Sequence, residues 1–198
     1  MILAFDTASA ACRVALLSGD DVLASTEEPM AKGQAERLLG LCQELLAQAG
    51  TDWSALSAIG VGTGPGNFTG IRIAVSSARG LALGRAVPAV GVSAFDALAF
   101  GTTGPCVCAV AAPRDQVYLQ GFGNAALAKP ALYPADSLPS FDGPLIGAGG
   151  RPARVPLAEA IGRITAQRYQ TETARPAPLY LRAPDAAPAR DAPPDILP

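Results

Sequence analysis

The chain has 198 residues, of which 49% are hydrophobic and 16% charged, with 17 acidic and 15 basic side chains. This composition is typical of a globular protein with one domain or two small lobes and excludes a disordered chain. The net charge of −2 excludes a strongly basic surface for nucleic acid. Histidine is absent, which excludes histidine-based zinc sites, Ser-His or Cys-His nucleophile pairs and imidazole proton shuttles.

The beginning of the chain predicts three strands and a helix. Strands are expected over residues 1–7, 12–17 and 22–26, with a turn at residues 19–21, which together form a β-meander. Apolar residues then recur at helical spacing over residues 34–49. The apolar face of this helix is wide. It either belongs wholly to the core or leaves apolar surface for another contact.

A glycine-rich loop follows a predicted buried strand at residues 58–61 and opens a helix over residues 71–83. Gly64, Gly66 and Gly70 allow positive φ or close backbone approach, and the Thr69 hydroxyl is expected to cap the helix. A helix start favours anions, but the loop lacks G-x-G-x-x-G spacing and the lysine of a Walker loop. A tight strand-to-helix turn therefore remains an alternative to phosphate contact.

The helix after this loop is apolar or small almost all round, which predicts cover on more than one side. Small residues such as Ser76 would allow another helix to approach closely. Arg72 and Arg79 are the charged residues of residues 71–83. They either form pairs across a subunit boundary or are solvated.

The second half of the chain predicts a smaller lobe. A strand over residues 87–92 and a short helix capped by Ser93 lead to a turn-rich break at residues 101–105. Strands are expected over 106–111 and 116–122, a loop over 130–144, a buried strand that runs into a flexible turn over 145–150, and a helix over 156–169. Alanine and proline then dominate residues 175–198. We expect lobes at 1–103 and 104–183 and an extended or mobile tail at 184–198.

Four cysteines, Cys12, Cys42, Cys106 and Cys108, form no C-x-x-C motif of the kind expected of a redox or zinc site. Cys106 and Cys108 would share one face of a strand, where we expect buried apolar thiols. No apolar run approaches the roughly 20 residues that span a bilayer, and the sequence does not begin with a basic leader and a long apolar stretch. We therefore expect a cytoplasmic protein without a membrane contact.

A meander followed by helix, strand, helix and strand fits an α/β fold of the actin-like ATPase class, the ribonuclease-H-like (ASKHA) architecture, with two small lobes. The first strand of that architecture ends at the cleft. Asp6 at this point would contact a metal or water beside phosphates, or it would bond backbone amides of the first turn.

Three segments carry a family resemblance. Residues 62–84, GTGPGNFTGIRIAVSSARGLALG, resemble the signature of the TsaB (YeaZ) family, and MILAFDTAS and PLYLRAPDA are similar to the two ends of that family. The resemblance implies a non-catalytic partner of TsaD in tRNA N6-threonylcarbamoyladenosine modification, with the ATPase TsaE as a further partner and tRNA bound through the complex. The catalytic paralogue TsaD carries two metal-binding histidines on the helix that corresponds to residues 32–37, which hold none here. The family usually has an acidic residue where this chain has Ala112.

The resemblance and the two long helices predict a contact surface and no catalytic or metal-binding residue. The surface comprises Leu38, Leu41, Leu45, Ile73, Ser76, Arg79 and Leu83, and it would pair two copies when the partner is missing. A nucleotide at a joint interface would meet Asp6, Gly64, Gly66 and Thr69.

The alternative function is an actin-like phosphotransferase or nucleotide-binding enzyme, with Asp6 beside a metal and the glycine loop on phosphate. That enzyme needs a second phosphate loop, for which residues 147–150 are the candidate. A metallopeptidase, a label also used for this family, is opposed by the missing histidines.

Overall fold

The computed structural model describes residues 1–182, and the tail expected at residues 184–198 lies outside them. A first sheet contains β1 (Ile2–Ser9), β2 (Ala11–Ser18), β3 (Asp21–Pro29), β4 (Ala58–Gly62) and β5 (Ala89–Val92). A second sheet contains β6 (Cys106–Ala112), β7 (Gln116–Phe122), β8 (Ala131–Pro134) and β9 (Leu145–Gly147). The helices are α1 (Gln34–Gln48), α2 (Phe68–Arg85), α3 (Ala94–Ala99) and α4 (Leu157–Arg168). In this part of the chain, none of the helices has the length and apolarity to cross a membrane.

The first sheet has the order β3-β2-β1-β4-β5, with an antiparallel meander followed by parallel pairing of β1 with β4 and of β4 with β5. Its central strand β1 is buried on both faces because side chains alternate across a strand. Leu3 and Phe5 belong to the core on the side of α1 and α2. Ile2 and Ala4 belong to the clusters that contain α4 residues. The predicted meander is confirmed.

Helix α1 directs four of its five leucines into the protein. Leu38, Leu41 and Leu45 have 0%, 2% and 3% of their surface exposed and share one core cluster with β1, β2 and α2. Their prediction as contact residues is therefore wrong. The helical periodicity identified the apolar face correctly, but this face covers the sheet of its own chain.

Helix α4 corrects the predicted lobe boundary. It follows the second sheet in sequence but packs on β1, β2 and β4 of the first. Ile161 and Ile164 share a cluster with β5 residues, and Ala158 with β2 residues. The range 104–183 is therefore not one lobe, because its helix covers the second face of the first sheet. An amphipathic pattern reveals that a helix has a buried face, but not which sheet covers it.

The second sheet has the order β8-β7-β6-β9, antiparallel except for β6 with β9. Helix α3 packs on it, with Phe95 beside Cys106 and Cys108 in a common cluster. Strand β8 lies within the range predicted as a loop. It is a short edge strand that ends at Pro134, and edge pairing of four residues leaves little sequence signal.

Candidate functional site

The glycine-rich loop is anchored to the end of β1. The Asn67 N–H donates a 2.7 Å hydrogen bond to the Ala8 carbonyl, and the Thr7 hydroxyl donates one of 2.7 Å to the Gly70 carbonyl. A Cβ atom at Gly66 would overlap the Ala8 carbonyl oxygen, and one at Gly70 the Thr7 carbonyl oxygen. Both glycines therefore permit close backbone approach, as the sequence predicts.

The prediction that Thr69 caps helix α2 is wrong. The cap is Asn67, whose side chain accepts a 2.9 Å hydrogen bond from the Gly70 N–H, while Thr69 lies in the first turn of α2. The helix starts earlier than its apolar pattern indicates. Positive φ occurs at Gly64, with φ of 92°, next to a cis peptide bond to Pro65.

Asp6 lies near the end of β1 with 2% of its surface exposed. Its Oδ1 accepts a 3.1 Å hydrogen bond from the Ala8 N–H and lies 3.7 Å from the Arg13 guanidinium. Burial raises the pKa of Asp6, while Arg13 and the Ala8 N–H act in the opposite direction. The alternative in which Asp6 bonds a backbone amide is the one that the structure contains.

Arg13 joins three neighbouring groups and was not identified from the sequence. Besides its approach to Asp6, its guanidinium donates hydrogen bonds to the Ser9 hydroxyl and, at 2.7 Å, to the Glu27 carboxylate. A positive charge so close to Asp6 weakens the attraction of this carboxylate for a divalent cation. The sequence signal was a charged residue inside the apolar strand β2.

A cleft of about 1130 Å³ opens between the first sheet and the second. Its first wall includes the charged residues Asp6, Arg13, Glu27, Lys32 and Glu36. The structure brings three of the four candidate nucleotide contacts to this cleft, namely Asp6, Gly66 and Thr69. Gly64 lies apart from the lining residues, where a Cβ would meet Ile71 and the Leu179 carbonyl.

The opposite wall of the cleft is apolar. Among the residues that the structure describes, it consists of Ala94, Leu98, Ala109, Val110, Ala111, Ala112, Pro113, Gly147, Ala148, Ala153, Val155, Pro156 and Leu157. These side chains supply no hydrogen bond, charge or nucleophile. Ala112, the position that is usually acidic in the family resembled above, belongs to this wall.

Three of the four amides in the candidate second phosphate loop, residues 147–150, are already paired with backbone carbonyls. The Gly147 N–H donates to the Arg151 carbonyl at 2.8 Å, the Ala148 N–H to the Ala109 carbonyl at 2.9 Å, and the Gly150 N–H to the Gly147 carbonyl at 3.0 Å. Amides that are already paired are not available to bind a phosphate. The loop lies at the cleft but its geometry is that of a structural turn.

The part of the predicted contact surface that lies on α2 faces outward. Ser76 and Arg79 are exposed, Ile73 is half-buried, and Leu83 has 85% of its surface exposed. Leu39 on the neighbouring helix α1 is 46% exposed, although the sequence-based surface did not include it. The part of the predicted surface that is accessible therefore lies on α2, and it includes the exposed Leu83.

A C-terminal strap, defined as residues 176–181, binds along α2. The Leu179 N–H donates a 2.8 Å hydrogen bond to the Thr63 carbonyl, and the Arg79 Nε donates one of 2.7 Å to the Pro176 carbonyl. The docking predicted for residues 179–182 is thus confirmed, but its arginine contacts were not foreseen. Arg79 is neither simply solvated nor committed to another subunit, because its own chain accepts one of its hydrogen bonds.

The Tyr180 ring in the strap contacts the start of α2. Its hydroxyl accepts a 3.1 Å hydrogen bond from the Arg72 Nε, and its ring lies 4.7 Å from that of Phe68. The Arg72 guanidinium lies 4.0 Å from the centre of the Phe68 ring. Arg72 therefore has a fixed position on the surface through one hydrogen bond and one cation–π contact.

The four cysteines are buried, which confirms the prediction made for Cys106 and Cys108. Burial raises the pKa of Cys12 to about 11, so this thiol is protonated near neutral pH and is a poor nucleophile. Within residues 1–182, His, Cys, Asp and Glu side chains form no group of three that could hold a metal ion.

The fold has close relatives among solved structures. YeaZ from Pseudomonas aeruginosa is 30% identical and superposes with a TM-score of 0.71 over 91% of this chain and 99% of that one. An uncharacterized protein with similarity to peptidase YEAZ, also from P. aeruginosa, is 28% identical with a TM-score of 0.74 over the same shares. The chain is thus a two-lobed α/β protein of the actin-like class.

Sequence comparisons name the family. A model described as "TsaD: tRNA N6-adenosine threonylcarbamoyltransferase" matches residues 26–133, more than half of the chain. An uncharacterized protein of Mycobacterium tuberculosis is 30% identical over 94% of both chains. The Escherichia coli tRNA threonylcarbamoyladenosine biosynthesis protein TsaB is 41% identical over 100 residues, which span 50% of this chain and 43% of that protein. The chain belongs to the TsaB (YeaZ) family.

Proposed function

We propose that this chain is a non-catalytic partner of a TsaD-like protein in the synthesis of tRNA N6-threonylcarbamoyladenosine. The observation that carries the proposal is the one-sided cleft: among residues 1–182, charged residues line one wall, and the residues that line the other are apolar or glycine. Group transfer requires donors and charges placed around the reacting atoms. The apolar wall supplies none, so the active chemistry belongs to the partner.

The buried carboxylate supports the same conclusion. Asp6 is the candidate metal-side residue of a phosphotransferase, but it bonds the Ala8 N–H and faces Arg13. In the loop at residues 147–150, the N–H groups of Gly147, Ala148 and Gly150 already donate to backbone carbonyls. The phosphotransferase alternative is therefore weakened, because its candidate carboxylate is already engaged and three of the four amides of its candidate loop are already paired.

The contact surface that we propose for the TsaD-like partner is the outward face of α2, with Ile73, Ser76, Arg79 and Leu83. An exposed leucine beside small residues suits a helix that packs closely. The three leucines of α1 are withdrawn from this surface because they are core residues. A TsaE-like ATPase would join the pair, tRNA would bind through the complex, and the assembly would work in the cytoplasm.

Two further expectations stay predictions. The α2 face would pair two copies of the chain when the partner is missing. A nucleotide bound at the joint interface would use the cleft side of the glycine loop, where Gly66 and Thr69 lie.

The test is reconstitution with the TsaD-like and TsaE-like proteins of the same organism. The chain alone should hydrolyse ATP negligibly, and its addition should restore threonylcarbamoyl transfer to tRNA. Leu83→Arg should abolish association with the TsaD-like protein and the restored transfer. The control Leu23→Arg, at a leucine that is 40% exposed on β3, should retain both. ATP turnover by the chain alone that disappears in Asp6→Ala would overturn the proposal.

A further inference from the structure

The outward face of α2 has the spacing of a helix-packing seam. Ile73, Ser76, Gly80 and Leu83 follow one another at intervals of three, four and three residues, and all are exposed or half-buried. This interval pattern is the one by which two helices interlock along a common line. The small residues in its middle, Ser76 and Gly80, let a second backbone approach closely.

Two arginines flank this seam on one edge. Arg72 and Arg79 are seven residues apart, which corresponds to about 10 Å along a helix. The strap residues Tyr180 and Pro176 each accept a hydrogen bond from one of them through Nε. Within residues 1–182, neither arginine forms an ion pair with a carboxylate. Residues 68–85 themselves contain no acidic side chain.

We infer that the strap positions Arg72 and Arg79 as two carboxylate receptors, and that the partner presents a helix with two acidic residues one heptad apart. This inference rests on the proposed function, since it assigns the chemistry by which the TsaD-like protein is recognised. Guanidinium groups bind carboxylates through two parallel N–H donors, and Nε engagement by the strap leaves the terminal nitrogens of each arginine for this purpose.

Fixing the arginines before binding favours association. A free arginine loses rotamer entropy when it pairs with a carboxylate, and that loss weakens binding. The Phe68 ring under Arg72 and the strap acceptors impose part of this order on the unbound chain. The strap thus contributes to partner affinity without itself having to contact the partner.

Charge complementarity favours an unlike partner over a second copy or RNA. Two copies that met through α2 would bring the same arginines together and no acidic residue of that helix to pair with them. Two flanking arginines on a chain of net charge −2 are too few for phosphate-driven RNA binding. A partner helix with acidic residues would pack along the seam and pair its carboxylates with the two arginines.

The experiment measures the affinity of the full-length chain for the TsaD-like protein by calorimetry at low and high salt. Arg72→Glu/Arg79→Glu should weaken binding at least about tenfold and reduce its salt dependence. Arg85→Glu is the matched control. It makes the same kind of charge change on the same helix, at a position about 120° around the axis from Arg79. It should bind within about twofold of the wild-type chain.

A second arm tests the strap. Tyr180→Phe keeps the ring beside Phe68 but removes the hydroxyl that accepts from Arg72. It should weaken binding severalfold in the wild-type background and have no further effect in an Arg72→Gln background, because the hydroxyl acts through Arg72. Thermal melting verifies that each variant is folded. If Arg72→Glu/Arg79→Glu does not fold, Arg72→Gln/Arg79→Gln is used in its place.

The outcomes separate the two proposals. Absence of binding by the wild-type chain would refute the proposed function and this inference together. Binding that the double reversal leaves within twofold would refute this inference alone. If the double charge reversal abolished only self-association of the chain, the inference would be refuted in favour of a second copy. If it abolished only the binding of tRNA to the isolated chain, the inference would be refuted in favour of RNA.

Discussion

The Asp6 carboxylate lies 3.7 Å from the Arg13 guanidinium at the base of the cleft, and the two side chains are 3% and 19% exposed. Burial disfavours the ionised carboxylate and the nearby cation favours it. Arg13 therefore compensates a carboxylate that would otherwise be isolated from water. This pairing makes Asp6 a structural feature of the cleft and leads to two predictions.

Loss of Arg13 should destabilise the fold near neutral pH. Arg13→Gln removes the cation and leaves Asp6 with the Ala8 N–H, so we expect the free energy of unfolding to fall by about 1–3 kcal/mol. Urea denaturation at neutral pH measures this loss. The double variant Arg13→Gln/Asp6→Asn should recover part of it, because the charge to be compensated is also gone. Equal stability of the single variant and the wild-type chain would contradict the pairing.

Asp6 should also give a distinct pH dependence. Its pKa is raised above the ordinary value of 3.8, so the folded chain retains this proton to higher pH than the unfolded chain. As pH rises from about 3.8 toward the folded pKa, this carboxyl group lowers the free energy of unfolding. The stability of wild type minus that of Asp6→Asn should therefore decrease over this range. Urea titrations of both proteins at successive pH values measure the difference, in which other carboxylates cancel, and an increase would show that the pKa is lowered instead.

Much of the first lobe follows from local patterns. The apolar run at residues 1–7 predicts a strand, and the glycines after β4 predict a close backbone approach, which occurs in the structure at Thr7 and Ala8. Asp6 could be assigned to the cleft because it lies near the end of the first strand of a recognisable architecture. These features depend on neighbours that are close in sequence or fixed by the order of strands.

Features that depend on distant partners could not be predicted. The pattern of α4 does not reveal that this helix crosses back to the first sheet. The periodicity of α1 is the same whether Leu38 meets its own sheet or another protein. Arg72 is separated by 108 residues from Tyr180, so nothing local indicates their hydrogen bond. The apolar composition of β6 was visible, but its position opposite Asp6 was not.

The glycines of α2 should respond in opposite ways to the same substitution. Gly70→Ala places a Cβ on the Thr7 carbonyl oxygen, which is backbone and cannot turn away. We expect a loss of at least about 2 kcal/mol in the free energy of unfolding. Gly84→Ala, on the same helix with nothing within 4 Å of the new atom, should instead stabilise by up to about 1 kcal/mol. Chemical denaturation of the two variants provides the comparison, and equal effects would refute the close contact between the loop and β1.

Adjacent leucines on α1 distinguish the core face of this helix from its outer surface. Leu38 is fully buried in the cluster between α1 and the first sheet, whereas Leu39 is 46% exposed. Leu38→Ala should lower the free energy of unfolding by about 2–5 kcal/mol because it removes buried methyl groups and leaves a cavity. Leu39→Ala should change it by less than about 0.5 kcal/mol, since both residues favour helix and little buried area is lost. Urea denaturation of the isolated chain measures both. If Leu38→Ala left the stability unchanged but weakened partner association, Leu38 would be a contact residue after all and the burial described for α1 would be wrong.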